Sequence, residues 1–490
     1  MMPTPTLRSA ADLMPLVPEL LLVGGAFALL MLDLFLDERR RIVTQAGAIA
    51  LLLAAGGLVL AGVGGQGVVM DGMFIRDTMA DVLKVGVLAL SALSLAYIWP
   101  FLRDRGLFKG EVPVLVLFAT IGMMLMVSAG NLAMVYVGLE LLALCQYALV
   151  AIDRDGPVGS EAGMKYFVLG SLASGLLLFG LSLVYGATGS LDLATIAAAT
   201  PGADRSLLLT GMVFVVAGIA FKFGAAPFHM WLPDVYHGAP TAITLFIGAG
   251  PKLAVFGMAW RLLDTGFGPL QEEWRLVLAA LATASLVIGN LAALMQPNLK
   301  RMLAYSTISH VGFLFLGLAG GGAEGYAAAM FYAISYGIMA TAAFGAIVVL
   351  SRRGFEADDI ADYRGLNARD PWMAGMILVV MASLAGVPPF LGFWAKLVVL
   401  RAAIEGDMLW LAIVGIVAAV IGAFYYLRVI KAMYFDDAPA THVDGTAGAA
   451  PMRARDGAAL KVVFGANALS LLALGLAWSP LMAWCQRAFA

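Results

Sequence analysis

The chain contains little of the chemistry that redox and metal-dependent enzymes use. Its 490 residues include only two cysteines, Cys145 and Cys485, and four histidines. Iron–sulfur clusters need several thiolates at close spacing, and structural zinc sites need clustered Cys or His ligands, so this sequence excludes both. Two cysteines so far apart also exclude a disulfide framework, and we expect them to be inert thiols within apolar segments.

Charge is scarce as well, since only 13% of the residues are charged and 62% are hydrophobic. A soluble domain carries about 25% charged residues. The formal net charge of −2 argues against a nucleic acid partner. The sequence has neither a phosphate-binding loop of the GxxxxGK(S/T) type nor a dinucleotide fingerprint. This composition predicts an integral membrane protein in a lipid bilayer.

Long apolar runs are abundant. A helix needs about 20 apolar residues to cross the hydrocarbon core. We therefore predict an all-α, polytopic fold with about fourteen transmembrane helices. The predicted spans are 13–36, 42–64, 77–100, 111–129, 131–152, 161–187, 206–226, 240–264, 274–296, 298–320, 325–350, 371–400, 408–434 and 460–486. The seventh and twelfth contain prolines, so we expect both to be broken helices.

The loops predict the orientation of these spans. Lysine and arginine concentrate on one side, in clusters such as 39–41, 300–301 and 352–353, and are sparse on the other. Because positive loops stay in the cytoplasm, this bias predicts that both termini lie on the periplasmic side of a bacterial inner membrane. No predicted extramembrane segment is long enough to form a soluble catalytic domain.

The two proline-containing spans share a short repeated sequence. "AAPFHMW" (225–231) and "VPPFLGFW" (387–394) both have Pro-Phe followed closely by Trp. Five spans separate them, so the two copies have opposite orientations. Inverted repeats with broken helices near the membrane centre are typical of transporters.

Ionisable residues inside the spans mark the candidate functional site, because each costs about 2.5–3.5 kcal/mol at the centre of a membrane helix. Four of them lie deep within their spans: Glu140, Lys222, Lys252 and Lys396. Lys165 is a further candidate, although a lysine that snorkels to the interface is an alternative for it and for Lys84. A static ion pair that only holds helices together is an alternative for the glutamate and the first deep lysine.

Prolines lie beside three of the deep lysines. Pro227 follows Lys222 in "IAFKFGAAPFHMWLPD" (219–234), and Pro251 directly precedes Lys252. Pro388 and Pro389 precede Lys396. We expect a helix break at each of these three positions, because proline frees a carbonyl one turn back. Such groups survive in a bilayer only against protein or water. Since a carboxylate that approaches or withdraws shifts the pKa of a lysine, these positions suit a proton relay in hydrated cavities.

The histidines extend this hypothesis. His310 shares a helical face with Ser306 and Ser309, and it is either a relay group or a neutral, hydrogen-bonded core residue. His229 and His237 flank the seventh break and could pass protons toward the cytoplasmic side. We expect no specific role for His442 in the last loop.

At these residues the chain resembles the antiporter-like subunits of respiratory complex I, a family shared with multisubunit cation/proton antiporters. The resemblance covers roughly 110–435. It rests on "VGLELLALCQYAL", "GMKYFVLGS", "GIAFKFGAAPFHMWLPDVYHGAPT", "GPKLAVF", "QPNLKRMLAYSTISHVGF" and "AGVPPFLGFWAKL".

The resemblance implies two inverted five-helix repeats, at 111–264 and 265–435, between a three-helix segment (1–110) and a loop with a last helix (436–490). It also implies a proton path in which Glu140 and Lys222 form the first pair, Lys252 is the central relay and Lys396 is the exit-side site. The path would also include the remaining candidates, His310, Lys165 and His229.

The family implies a subunit without its own cofactor. Flavin, iron–sulfur clusters and quinone would bind to partner subunits of a proton-translocating NADH:quinone oxidoreductase. The partners would be other membrane subunits, including an antiporter-like paralogue and small membrane-arm subunits.

Three large subunits share the pattern. One has a long C-terminal lateral helix, which is not expected here, and another has a glutamate where this chain has Lys396. The opening "LVPELLLVGGAFALLMLDLF" is similar to the third. No carboxylate occurs near Lys396 in its own span, so its partner must come from elsewhere. The alternatives are a subunit of a sodium/proton antiporter without redox activity and a purely structural membrane spacer.

Overall fold

The computed structural model describes residues 10–437 and 457–490, and His442 lies outside the described residues. The described chain is almost entirely helical. Its helices are α1 (Val17–Asp33), α2 (Ile42–Leu60), α3 (Thr78–Asp104), α4 (Glu111–Val127), α5 (Leu132–Val150), α6 (Pro157–Thr188), α7 (Leu193–Ala199), α8 (Arg205–Phe223), α9 (Trp231–Gly238), α10 (Thr241–Gly248), α11 (Gly250–Trp260), α12 (Gln271–Leu294), α13 (Leu299–Gly320), α14 (Gly322–Leu350), α15 (Leu366–Arg369), α16 (Pro371–Ala385), α17 (Leu391–Glu405), α18 (Leu409–Tyr434), α19 (Ala458–Leu476) and α20 (Trp478–Arg487).

These helices confirm the predicted membrane fold. In the described part of the chain, 12 helical segments are long and apolar enough to cross a membrane. The 17-residue α4 and the broken pair α16 and α17 occupy the positions of the two remaining predicted spans. The chain is therefore a multi-pass membrane protein.

Four spans of the described chain are broken, one more than the three that the prolines indicated. The seventh is interrupted between α8 and α9 and the twelfth between α16 and α17, as the prolines predicted. The eighth is interrupted at Ala249, between α10 and α11, one residue before the turn that contains Pro251. The fourteenth is interrupted at Ala477, between α19 and α20, and the sequence analysis had treated it as continuous. Apolar composition identifies a span but does not reveal a single residue with non-helical backbone.

A small β-hairpin departs from the all-α prediction. Strand β1 (Gly67–Val69) pairs antiparallel with β2 (Phe74–Arg76) between α2 and α3. The Arg76 side chain is buried and binds Asp81 at 2.8 Å and the Val63 carbonyl oxygen at 2.5 Å. The hairpin therefore closes one end of the three-helix segment. Its strands were not predicted, because three residues are too few to show the alternating pattern of a strand in the sequence.

The first five-helix repeat contains a backbone clasp at the start of α5. The N–H of Leu132 donates to the Leu191 carbonyl at 2.9 Å, and the N–H of Leu193 donates to the Gly130 carbonyl at 3.1 Å. The Asn131 side chain caps α5 by accepting from the second and third backbone N–H groups of the new turn. This clasp fixes the start of α5 against the connector that precedes the broken seventh span.

The second repeat has the same clasp at the start of α13. The N–H of Leu299 donates to the Asp358 carbonyl at 2.5 Å, and the N–H of Ile360 donates to the Pro297 carbonyl at 3.0 Å. Asn298 caps the helix as its counterpart does in the first repeat. Since α5 is the fifth span and α13 the tenth, the two clasps belong to repeats of opposite orientation.

The core lies between the two repeats. Nearly every residue of α13 and α14 is buried, and so is every residue of α10. In contrast, α5, α6 and α18 expose apolar side chains along one face, among them Val137, Leu144, Met164, Leu172 and Phe424. Lys252 on α11, His310 on α13 and Lys396 on α17 therefore lie inside the bundle, away from this apolar surface.

Candidate functional site

Left-handed glycines end the first half of the seventh and twelfth spans. Gly224 has φ +76° after α8, and Gly386 has φ +87° after α16. Only glycine adopts this conformation without steric cost, and it is the common way to end an α-helix. A side chain at Gly386 would also bring its Cβ to 3.0 Å from Cδ of Lys396. Both breaks therefore depend on glycine, and each leaves carbonyl oxygens of the last helical turn free.

The freed carbonyls of the seventh span bind Lys252. Its Nζ lies 2.6 Å from the Phe223 oxygen and 3.5 Å from the Lys222 oxygen. Lys252 comes from α11 and is only 2% exposed. Because the C-terminal end of a helix carries partial negative charge, this arrangement stabilises the ammonium form.

Lys396 makes the equivalent contacts in the twelfth span. Its Nζ lies 3.0 Å from the Leu384 oxygen and 2.9 Å from the Ala385 oxygen, at the end of α16. Here the lysine comes from α17, the second half of the same span. The sequence analysis expected a carboxylate partner for Lys396 from elsewhere. Among the described residues no carboxylate oxygen lies within 4.0 Å of its Nζ, and the carbonyls take that role.

Aromatic rings cover both ammonium groups. Nζ of Lys252 lies 5.7 Å from the centroid of the Trp231 ring, and Nζ of Lys396 lies 5.3 Å from that of Phe313. Ring faces attract cations, so they add to the stabilisation by the carbonyls. Trp231 is the tryptophan of the "AAPFHMW" motif, and its indole N–H donates to the Phe221 oxygen at 3.0 Å.

Glu140 and Lys222 are electrostatic neighbours without a direct contact. Lys222 is half-buried in the last turn of α8, and the Glu140 carboxylate on α5 is its coulombic partner. No ion pair within 4.0 Å joins them, and Glu140 Oε1 is buried without a hydrogen-bond partner among the described residues. A static ion pair would require contact, and the described residues show none between these two side chains.

Lys84 and Lys165 lie apart from the other lysines. Lys84 does not snorkel, because it is fully buried and forms an ion pair with Glu19 at 2.7 Å within the N-terminal three-helix segment. The Lys165 ammonium is partly exposed and contacts both Glu161 and Asp234 at 2.8 Å. Lys165 therefore belongs to a partly exposed charged network in the N-terminal part of α6.

That network joins the two repeats. Asp234 on α9 also binds Arg301 of α13 at 3.0 Å. Nearby, Nζ of Lys300 donates to the Ala239 oxygen at 3.0 Å and lies 3.7 Å from Glu356. Partial burial raises the pKa of the Glu356 carboxyl, but the positive charge of Lys300 and further contacts outweigh it and hold that pKa below its usual value.

His310 lies at the centre of a group of hydroxyls. Its Nδ1 is 2.6 Å from the Tyr332 hydroxyl of α14, and its Nε2 is 3.0 Å from the Tyr426 hydroxyl of α18. The Tyr426 hydroxyl also contacts Ser306, one turn before the histidine. The Lys396 charge acts on the same imidazole. The serine face of α13 is recognisable in the sequence, whereas the two tyrosines are not, because they come from helices distant in sequence.

The other histidines lie near the seventh break. His229 is half-buried in the segment between α8 and α9, and its Nδ1 has no hydrogen-bond partner among the described residues. His237 ends α9, where its Nε2 lies 3.9 Å from Asp358. His229 thus lies within the break itself, whereas His237 follows it and adjoins the charged network.

Within the described residues, no group of three or more Cys, His, Asp or Glu side chains could hold a metal ion. The buried titratable groups of the site contact backbone carbonyls and tyrosine hydroxyls.

Residues 129–422 match the family described as NADH:quinone oxidoreductase/Mrp antiporter, transmembrane. The chain is 64% identical to NADH-quinone oxidoreductase subunit N of Xanthomonas euvesicatoria pv. vesicatoria, with 100% of this chain and 99% of that protein aligned. Among solved structures, a chain of respiratory complex I from Thermus thermophilus with bound aureothin superposes with a TM-score of 0.79. It is 30% identical, and the match covers 95% of this chain and 99% of that one.

A chain of the Mrp complex from Dietzia sp. has a TM-score of 0.83, at 24% identity, with 99% of this chain and 97% of that one covered. At that identity the similarity establishes the shared fold alone. The identity to the subunit N relative, over the full chain, is much higher than the identity to this Mrp chain. This chain therefore belongs to the NADH-quinone oxidoreductase subunit N family, the third of the large antiporter-like subunits of complex I.

Proposed function

We propose that this chain translocates protons in the membrane arm of a bacterial NADH:quinone oxidoreductase through Glu140, Lys222, Lys252, His310 and Lys396. One observation carries the proposal. In each inverted repeat, a buried lysine ammonium occupies the carbonyl end of a helix broken at a left-handed glycine. Two such sites of opposite orientation suit a group that takes up a proton from one side and releases it to the other.

The carbonyl contacts couple protonation to the position of each lysine. An ammonium has three donors and is attracted to the negative end of the helix, whereas a neutral amine loses most of this attraction. Loss of the proton therefore weakens the bond between Lys252 and the Phe223 oxygen. A proton that arrives restores this bond, so the break and the charge state of the lysine change together.

Glu140 and Lys222 regulate this first site. The backbone oxygen of Lys222 is one of the two acceptors of Lys252, while its side chain feels the charge of Glu140. A carboxylate that moves closer favours the charged form of Lys222, and a second ammonium beside Lys252 disfavours its proton. Movement of α5 relative to α8 thereby drives a proton from Lys252 toward His310 and Lys396. Lys165 and His229 serve the entry side in this scheme.

The chain contributes no redox chemistry in this proposal. Flavin, iron–sulfur clusters and quinone belong to partner subunits, because this sequence offers only two distant cysteines and no dinucleotide-binding unit. The partners are an antiporter-like paralogue and small membrane-arm subunits. Apolar faces on α5, α6 and α18 supply surface for them and for lipid. Both termini lie on the periplasmic side of the inner membrane, opposite the positive loops.

The repeats define four parts of the chain: 1–110, 111–264, 265–435 and 436–490. The paired clasps at Asn131 and Asn298 support this division, since each clasp opens the second helix of a repeat. The N-terminal part has its own buried pair, Glu19 and Lys84, which we place outside the proton path.

The test compares Lys252→Met with the double variant Glu19→Gln, Lys84→Met in the assembled complex. Both remove a buried ammonium, but only the first removes a proposed relay. We expect Lys252→Met to lose proton pumping per NADH oxidised while the complex still assembles, and the double variant to retain the normal ratio. Normal pumping in Lys252→Met would instead support a structural spacer. Sodium transport without co-purifying flavin and iron would support the sodium/proton antiporter alternative.

A further inference from the structure

The environment of His310 contains a continuous chain of hydrogen-bonding side chains from three helices. Tyr332 of α14 contacts Nδ1 of the imidazole, Tyr426 of α18 contacts Nε2, and Ser306 of α13 contacts Tyr426. All four residues are at most 3% exposed, with Tyr332 and Tyr426 at 1% each. The mechanism proposed above uses only the histidine, so the three hydroxyls have no assigned role.

The number of protons that each of these side chains can donate gives the hydrogen bonds around His310 a direction. A neutral imidazole has one N–H donor and one bare nitrogen acceptor, and each tyrosine has one proton to give. The Tyr332 hydroxyl has no other hydrogen-bond acceptor among the described residues, so its O–H donates to Nδ1. Nε2 then carries the imidazole proton and donates to the Tyr426 oxygen. Either hydroxyl of the Tyr426–Ser306 contact can donate, and in the orientation proposed here the Tyr426 O–H donates to Ser306.

We propose that Tyr332, Tyr426 and Ser306 form a directional proton wire with His310, connecting α14 through α13 to α18. This inference deepens the proposed function and rests on His310 being in the proton path. The static alternative is that the hydroxyls merely satisfy a buried histidine, as buried polar groups generally require.

Transport along this wire conserves every proton. A proton that binds the Tyr332 oxygen displaces the original hydroxyl proton onto Nδ1. The imidazole then passes its Nε2 proton to Tyr426, Tyr426 passes its own to Ser306, and Ser306 releases one. One O–H or N–H bond forms and one breaks at each group, so the wire ends neutral with its hydrogen bonds reversed. The hydroxyl groups and the imidazole must return to their starting orientation before the wire can carry the next proton.

Neighbouring groups support a path rather than an isolated cluster. Nζ of Lys396 faces the Phe313 ring, three residues after His310 on α13, and its charge acts on the imidazole. At the other end, Ser306 adjoins Tyr425, whose O–H donates to Asn290 Oδ1 at 3.0 Å. The Lys396 charge thus acts on the centre of the wire at His310, and polar side chains of α12 and α18 continue it from Ser306.

The test removes one hydroxyl at a time in the whole complex. Tyr332→Phe and Tyr426→Phe each keep the ring and its packing but break the wire. Tyr97→Phe is the matched control, because Tyr97 is equally buried and, among the described residues, its hydroxyl accepts a hydrogen bond only from Asn467, at 3.4 Å, outside the proton path. For each variant the proton-pumping rate, protons pumped per NADH oxidised, the amount of assembled complex and the solvent deuterium isotope effect on pumping are measured.

We expect Tyr332→Phe and Tyr426→Phe to lower the proton-pumping rate by about tenfold or more, as loss of a proton-transfer group does. Their deuterium isotope effect on pumping should also rise, because proton transfer becomes limiting. Packing alone would not change an isotope effect. Tyr97→Phe should match the unmodified complex in both measurements.

His310→Gln separates this inference from the function on which it rests. If His310→Gln stops pumping while both tyrosine variants pump normally with an unchanged isotope effect, the wire is wrong and His310 remains in the path. If His310→Gln pumps normally, the role of His310 and the wire both fail. Loss of assembly in a tyrosine variant in proportion to loss of pumping would assign its hydroxyl to the static alternative.

Discussion

The ammonium of Lys252 lies 2.6 Å from the carbonyl oxygen of Phe223, the last residue of α8 before the break. Lys396 has the same relationship with Ala385, the last residue of α16. A carbonyl freed at a helix break in a bilayer needs a donor, and a buried ammonium needs acceptors. Each break and its lysine therefore satisfy one another, and neither can change alone.

Lys222→Ala should lower proton pumping by about tenfold or more while the complex assembles almost normally. The physical reason is that the Lys222 side chain makes no hydrogen bond or ion pair in the described residues, so its removal leaves little unpaired. Pumping and complex content are measured together in membranes. A parallel loss of both would indicate that the lysine has a structural role.

Glu140→Gln should impair coupling, whereas Glu140→Asp should retain part of it. Glutamine preserves size and hydrogen bonding but carries no charge to act on Lys222. Aspartate keeps the charge and shortens the side chain by one methylene. The measurement is the number of protons pumped per NADH oxidised, and wild-type values in both variants would remove Glu140 from the path.

Gly386→Ala should destabilise the twelfth span and disturb the Lys396 site. A left-handed backbone costs a non-glycine residue about 1–2 kcal/mol, and the new Cβ would lie 3.0 Å from Lys396 Cδ. Gly375→Ala in α16 is the control, because a Cβ there meets nothing within 4 Å. We expect a lower melting temperature and weaker pumping only in the first variant. Equal stability of the two would show that the break does not need glycine.

Glu356→Gln should remove a pH-dependent part of the stability. The native pKa of this carboxyl lies below its usual value, so its ionised form stabilises the fold above about pH 4.5, and this contribution is lost as pH falls through the lower native pKa. At neutral pH the substitution leaves the buried Lys300 ammonium without its carboxylate, at a cost of about 1–3 kcal/mol.

The melting temperature of the assembled complex, measured at neutral and at acidic pH, tests this sign. The difference between wild type and Glu356→Gln should be largest at neutral pH and shrink under acidic conditions. Glu38→Gln, at an exposed position, is the control and should show no such trend. A difference that grows on acidification would contradict the assigned direction.

The chain purified alone in detergent should oxidise no NADH and show no flavin or iron–sulfur absorbance. The reason is its inventory, since Cys145 and Cys485 are its only cysteines and a cluster needs several at close spacing. Ultraviolet–visible spectra and an NADH oxidation assay against a buffer blank provide the check. Quinone reduction by NADH above that blank would disprove the division of labour between this chain and its partners.

The sequence by itself determined the membrane fold and most of the candidate residues. Long apolar runs locate the spans because transfer into lipid depends on composition, and a deep Glu140 or Lys252 stands out because charge is costly there. Prolines indicated three of the four breaks because proline lacks a backbone donor. These are local properties of the chain, so they can be recognised without knowing which helices pack together.

Only the tertiary structure decided which groups meet. It placed the Lys396 ammonium on backbone carbonyls instead of a carboxylate, kept Glu140 and Lys222 apart, and assigned Lys165 to a half-exposed network. It also brought Tyr332 and Tyr426 to the two nitrogens of His310, from positions 22 and 116 residues away. Composition does not show such contacts. A tyrosine in an apolar run looks like any other core residue until the tertiary structure shows which helix supplies its hydrogen-bond partner.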